Sequence, residues 1–268
     1  MKTLLLCVLF TCISFFCQAQ IGVSSFYGKQ GKTIVKFKNG TTEVGVLKGN
    51  ALLFGYRYDD PYEFKFKNNG ADDYRMISSN QVSSIVIHDK KNEEYFTEYF
   101  PIRMRDFGKK YTFSDKYYVD FYPLKNYKGV VYADVVVYES LNYGKSIGRY
   151  LTDYYYFPVG KTGYYFLFHG AYRRTNKESA QFMMLLDKDC KPFQEYMQEN
   201  YLDTDNYKAG YNAAVEEFKG NKSQFLADRK AEGVNKKWAK IEYKSAEFFI
   251  YFQQILDKYS ELCTHENH

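Results

Sequence analysis

The residues of this sequence that can do chemistry are few and scattered. Beyond the first nineteen positions its histidines are His88, His169, His265 and His268, and neither an HExxH metal-helix pattern nor a GxSxG nucleophile pattern occurs. The best acid-base seed is Asp153 with His169, set at the two outer ends of an aromatic stretch that reads as a hairpin, where the pair can meet across the strands. A carboxylate that orients an imidazole still needs a serine or cysteine to act as nucleophile, and none is near. The pair therefore seeds only an alternative expectation, a hydrolase whose site is assembled from scattered residues.

Two glycine-lysine motifs invite a phosphate-loop reading and fail it. A phosphate loop needs GxxxxGK[ST] between a strand and a helix, so that backbone amides and the helix end face the phosphates. Gly160-Lys161-Thr162 has Tyr155 where the first glycine belongs, and Gly31-Lys32-Thr33 has Phe26 there and runs into a strand. Asp59, Asp60 and Glu63, and then Asp72 and Asp73, group acidic oxygens without the spacing of a calcium loop, and turns attract aspartate in any case. The tail CTHENH offers Cys263, His265 and His268 as soft ligands at a terminus without a fourth partner. No metal site and no cofactor is expected.

The aromatic stretch itself, DYYYFPVGKTGYYFLFHGAY over residues 153–172, is two strands and a turn. Strand alternation sets Tyr154 and Tyr156 on one face and Tyr155 and Phe157 on the other, while Tyr164, Phe166 and Phe168 share a face opposite Tyr165, Leu167 and His169. PVGKTG is then the loop. Aromatics on both faces suit a strand pair covered on both sides, because a tyrosine can bury its ring while its hydroxyl finds a partner. An exposed row would instead make a ligand-stacking platform, for which Tyr154, Tyr156 and Tyr164 are the candidates.

The elements that position these residues begin after a leader. MKTLLLCVLFTCISFFCQAQ joins one lysine to an apolar run and then to Cys17-Gln18-Ala19, the pattern of a secretory signal cleaved after Ala19. The run is shorter than the roughly 18 apolar residues of a membrane helix, so no membrane span is expected after its removal. Phe15 and Phe16 stand before Cys17 where a lipidated cysteine would follow small residues. Three cysteines leave with the leader. Cys190 and Cys263 remain, 73 positions apart, too few for a disulfide framework; they either bridge or stay free. Thirty-seven lysines and arginines against 32 acidic residues leave a formal charge of +5 spread along the chain, which is no nucleic-acid footprint.

From Lys32 onward, short β-rich runs alternate with turns. TIVKFKNGTTEVGVL alternates on either side of Asn39-Gly40, a strong hairpin signal because both turn residues accept positive φ. YEFKFKNNG repeats the device at Asn69-Gly70; the likeness of KFKNG to KFKNNG reflects two turns of one kind, not duplicated domains. The runs VSSIVIHD, EEYFTEYFPIRM, KYYVDFYPL and GVVYADVVVYE follow at meander spacing. Past Cys190 the spacing turns helical. Pro192 suits a first helical turn, and Tyr207, Tyr211, Ala214, Val215 and Phe218 fall on one face. From Asn235 to Cys263 the residues Trp238, Ile241, Phe248, Phe252, Ile255, Tyr259 and Leu262 follow three-four spacing, broken only at Ser245: a long amphipathic helix expected to pack on the preceding helices and not to form a partner seam.

The expected fold is α+β: an antiparallel β-rich region over 20–187, a small barrel or sandwich plus further sheet, followed by a helical region over 188–268. A membrane barrel would not end in about 80 helical, charged residues. TIVKFKNGTTEVGVLKGN, YEFKFKNN, NQVSSIVIHDKKNEEYF and DKDCKPFQEYMQEN, behind a signal ending near Ala19-Gln20, together resemble the uncharacterised secreted proteins of Bacteroidetes-type bacteria. The chain departs from them at Lys191, which separates Cys190 from Pro192. The resemblance implies an exported location, periplasmic, cell-surface or extracellular, and brings no active site. With no convergent polar constellation and abundant aromatic surface, the expectation is a non-enzymatic protein that binds a macromolecule or is structural, its partner a protein or a glycan, with no nucleic acid.

Overall fold

A computed structural model describes residues 30–48, 63–90, 93–94, 96–107, 113–143, 146–169, 177–203, 207–234 and 236–263. Eleven strands come first: β1 (Gln30–Phe37), β2 (Thr42–Leu47), β3 (Glu63–Asn68), β4 (Arg75–Ser78), β5 (Val82–Asp89), β6 (Phe96–Phe107), β7 (Phe113–Tyr122), β8 (Leu124–Tyr127), β9 (Val130–Tyr143), β10 (Ser146–Pro158) and β11 (Tyr164–His169). Five α-helices follow: α1 (Lys177–Met183), α2 (Lys191–Met197), α3 (Tyr207–Gly220), α4 (Lys222–Ala231) and α5 (Lys236–Cys263). The chain is α+β with its strands and helices segregated, as the sequence pattern predicts. Helix begins at Lys177, ahead of the expected boundary at 188, because Ala180 and Met183 dip into the core before the lysine- and glutamate-rich stretch starts.

The strands form one connected sheet in the order β4-β3-β2-β1-β5-β6-β11-β10-β9-β8, with β7 paired to β6 off this path. The β1–β2 hairpin turns at Asn39-Gly40 as expected, but only Gly40 takes positive φ (+85°); Asn39 keeps negative φ and its side chain accepts from the Thr41 amide at 3.0 Å, which caps the turn. One pairing is not antiparallel. β11 returns beside β6 in parallel, matching Tyr164 to Arg103 and Tyr165 to Met104. Alternation reveals a strand but not its neighbour, so this crossover is invisible in the sequence.

The expected burial on both faces of the aromatic hairpin is present. Tyr155, Phe157 and Phe166 are wholly buried in a cluster with Phe252, Ile255 and Leu256 of α5 and Phe193 and Met197 of α2. On the opposite face Tyr156 packs with Ile102, Met104, Tyr118, Tyr122 and Ala133. A third cluster joins the inner faces of β1 to β5, closed by Phe121, whose ring meets Phe64 edge-on at 5.7 Å. Sheet and helices thus share a core.

The long helix runs within one residue of its expected start, but its packing differs from the expectation. Its apolar face lies on the sheet as well as on other helices: the Phe252 ring stands 5.0 Å from Tyr155 and 4.9 Å from Phe157. The Tyr127 hydroxyl and the Lys128 ammonium both reach the Asp257 carboxylate, at 2.9 and 2.7 Å, fixing α5 to the β8–β9 turn. Further along, Arg229 of α4 makes two hydrogen bonds to the buried Glu242 carboxylate, at 2.6 and 3.2 Å. The side chain of Trp238 lies outside the described residues. None of the helices described is long and apolar enough to cross a membrane.

Candidate binding cleft

The β10–β11 hairpin that carries the aromatic stretch ends in the Gly160-Lys161-Thr162 turn. The Val159 amide donates to the Tyr164 carbonyl at 2.8 Å, and the Thr162 amide and hydroxyl donate to the Val159 carbonyl at 3.1 and 2.6 Å. Gly163 then takes φ +74°, a conformation that a side chain would strain. The motif is turn chemistry, as its spacing implies. The turn is also docked, since the Gly160 amide donates to the Leu185 carbonyl at 3.1 Å.

Leu185 opens the second wall. Past it the chain bends through Asp187, whose carboxylate accepts from the amides of Asp189 at 3.0 Å and Cys190 at 3.2 Å. The Gln194 side chain donates to the carbonyls of Met184 at 2.8 Å and Asp187 at 2.7 Å, so this segment is held from the side of α2 as well. Cys190, at the N-cap of α2, is disulfide-bonded to Cys263, the last residue of α5. Of the two alternatives open for these cysteines, the structure takes the bridge. It ties together the ends of two helices that 73 residues separate.

Between the turn, the sheet and the bridge opens a cleft of about 640 Å³. Residues 159–162 and 187–190 line its two sides, Tyr259 and Cys263 close it from α5, and Tyr164 and Arg105 form its sheet wall. The volume falls within the usual range for small-ligand pockets. Burial and the neighbouring, hydrogen-bonded Asp187 push the Tyr259 hydroxyl above its ordinary pKa, so it stays protonated at physiological pH.

The sheet wall is an alternation of arginine and tyrosine across three strands. β6 places Arg103 and Arg105 between Tyr117 on β7 and Tyr164 on β11. The Arg105 guanidinium lies 4.0 Å from the Tyr164 ring centre and that of Arg103 lies 5.6 Å from Tyr117, while the two tyrosine rings meet edge-on at 5.7 Å. Cation-π attraction of this kind orients a guanidinium without neutralising it. The Arg105 Nε is buried and has no hydrogen-bond partner.

The candidates read from the sequence part company here. Tyr164 lines the cleft. Tyr156 is 3% exposed, stacked on Tyr122 at 4.3 Å with its hydroxyl donating to that of Tyr122 at 3.0 Å, and so it is core and no part of an exposed row. The Tyr154 side chain lies outside the described residues, as do those of Asp153 and His169. The backbone register pairs His169 with Tyr154, one position out of phase with Asp153, which pairs with Val136. Asp59, Asp60, His265 and His268 also lie outside. Among the described residues no group of three histidine, cysteine or acidic side chains is placed to hold a metal ion.

Sequence reasoning missed Arg105 and the 187–190 bend. The signal for the first was present: in PIRMRDF two arginines alternate with apolar residues on a strand, a waste of charge unless that face meets solvent or a ligand. What links it to Tyr164 is the parallel pairing of β6 with β11. The chain matches no protein family model, no curated protein and no solved structure.

Proposed function

We propose that this chain is an exported, non-enzymatic protein that binds a macromolecular partner through the cleft beside the Cys190–Cys263 bridge. The observation that carries this reading is the construction of the cleft: a docked turn, a capped bend and a disulfide hold its walls. Preorganised walls lower the entropic cost of association. The bridge also suits an oxidising compartment, in keeping with the signal-like leader and with the resemblance to secreted proteins. A protein partner comes before a glycan, because Arg105 already covers a face of the Tyr164 ring that a sugar would stack on.

The test places a photo-activatable residue at Lys188, on the cleft rim, or at Lys230, exposed on α4 away from it, in the full chain made by its own cell. The expected result is discrete protein adducts from position 188 and none from 230, on a mature chain whose first residue is Gln20. Equal labelling at both positions, or none at either, contradicts the reading.

A further inference from the structure

Resting on that reading, the geometry points to a specific chemistry for the partner: the cleft takes the carboxylate of an acidic protein segment, received by the Arg105 guanidinium. Arg105 is the group in the cleft wall whose hydrogen bonds are unspent. Among the described residues it makes no ion pair, its Nε is buried without a partner, and its guanidinium lies over the Tyr164 ring, which cannot accept its N–H fork in-plane. A guanidinium whose carbon lies 4.0 Å from an aromatic ring centre still has two terminal nitrogens, whose N–H groups match a carboxylate in two parallel hydrogen bonds.

The surrounding charge points the same way. Lys161 and Lys188 stand exposed on the two opposing rims, and Arg103 continues the basic row along β6. The acidic groups facing the cleft are Asp187 and Asp189. Asp187 is already engaged by two amides and the Tyr259 hydroxyl. Asp189 is exposed, so Arg105, Lys161 and Lys188 face two carboxylates of which one is engaged, and the lining carries a net positive charge. A charged group left without partners in a partly buried wall costs stability that a bound counter-charge recovers. A uronate sugar carries the same carboxylate, but ring stacking, the other half of sugar recognition, meets a Tyr164 ring with Arg105 over one face and Tyr117 in contact at 5.7 Å.

Isothermal titration of the mature chain with a blocked hexaglutamate peptide tests this, with hexaglutamine, hexalysine and trigalacturonate as comparisons. Hexaglutamate should bind, more weakly as salt rises, and the glutamine and lysine peptides should not. Arg105→Gln should weaken binding by about tenfold to a hundredfold, the range for a hydrogen-bonded charge, with a melting midpoint no lower than the parent's. Should Arg105→Gln fail to fold, the exposed pair Lys161→Glu and Lys188→Glu reads the same field and should also abolish binding. Equal binding of glutamate and glutamine peptides, an Arg105→Gln variant that binds as the parent does, or preference for trigalacturonate overturns the proposal. If hexaglutamate fails while position 188 still cross-links to protein, the ligand chemistry is wrong and the binding role stands. If both fail, both fall.

Discussion

The hydroxyl of Tyr155 donates to the main-chain carbonyl of Ser245 at 3.2 Å and lies 3.3 Å from the Ser245 hydroxyl. This explains the one break in the apolar stripe of α5. Ser245 is 2% exposed and sits where a leucine would bury more surface, but a leucine would replace the hydroxyl that lies against the buried Tyr155 phenol with a branched side chain crowding it. Tyr155→Phe should therefore cost about 1 kcal/mol in urea unfolding, although it deletes one oxygen and no packing. No measurable change would mean that the pair carries no net energy.

Phe252 is the centre of the contact between α5 and the sheet, wholly buried against Tyr155 and Phe157. Phe252→Ala should cost roughly 3 to 5 kcal/mol, whereas Met76→Ala, at a position 50% exposed on β4, should stay within about 0.5 kcal/mol. If Phe252→Ala is as stable as the parent, the face of α5 is not packed internally.

Asp120 is buried on β7, accepting from the Phe121 amide at 2.8 Å and the Tyr122 hydroxyl at 3.1 Å. Burial outweighs these bonds and pushes its carboxyl up to about 7. With the folded pKa above the unfolded one, the folded state binds more protons between them. Stability is therefore highest below about pH 4 for this group and falls as pH rises through about 7. Denaturation midpoints across that window should show the decline, and Asp120→Asn should flatten it. A parent protein whose stability rises over the same window without a compensating change in Asp120→Asn would contradict the assignment.

The bridge between Cys190 and Cys263 closes a long loop. Reducing it, or replacing both cysteines by serine, should lower stability by about 2 to 4 kcal/mol. The peptide affinity of the cleft should fall as well, since both cysteines line it. Unchanged affinity in the serine pair would show that the walls stand without the bridge.

Legibility in the sequence followed the range of the interactions. Hairpins closed at Asn39-Gly40 and Asn69-Gly70 and the three-four spacing of α5 are local, and they are present, although in each turn the glycine alone takes positive φ. Burial of Tyr155 and Phe157 was legible from aromatics on both faces. The short helix α4 was not, since Phe225 and Leu226 are too few to set a period. The cleft was half legible: Tyr164 was a candidate for its ring, but the ring's role is to hold Arg105, 59 positions earlier in the chain and brought beside it by the one parallel pairing. Tyr156 matched Tyr164 as a candidate by composition and differs from it only in which side of the sheet is covered. Cysteine spacing left the bridge open, because proximity between helix ends depends on the whole helical layer.

If the cleft receives the partner, amide chemical-shift mapping during titration with the hexaglutamate peptide will show it residue by residue. Perturbed amides should cluster at residues 160–164 and 187–190, together with Arg105, and the outer surface of α4 should stay silent. Shifts confined to other surfaces, or spread evenly over the lysine-bearing faces, would rule out the cleft as the binding site.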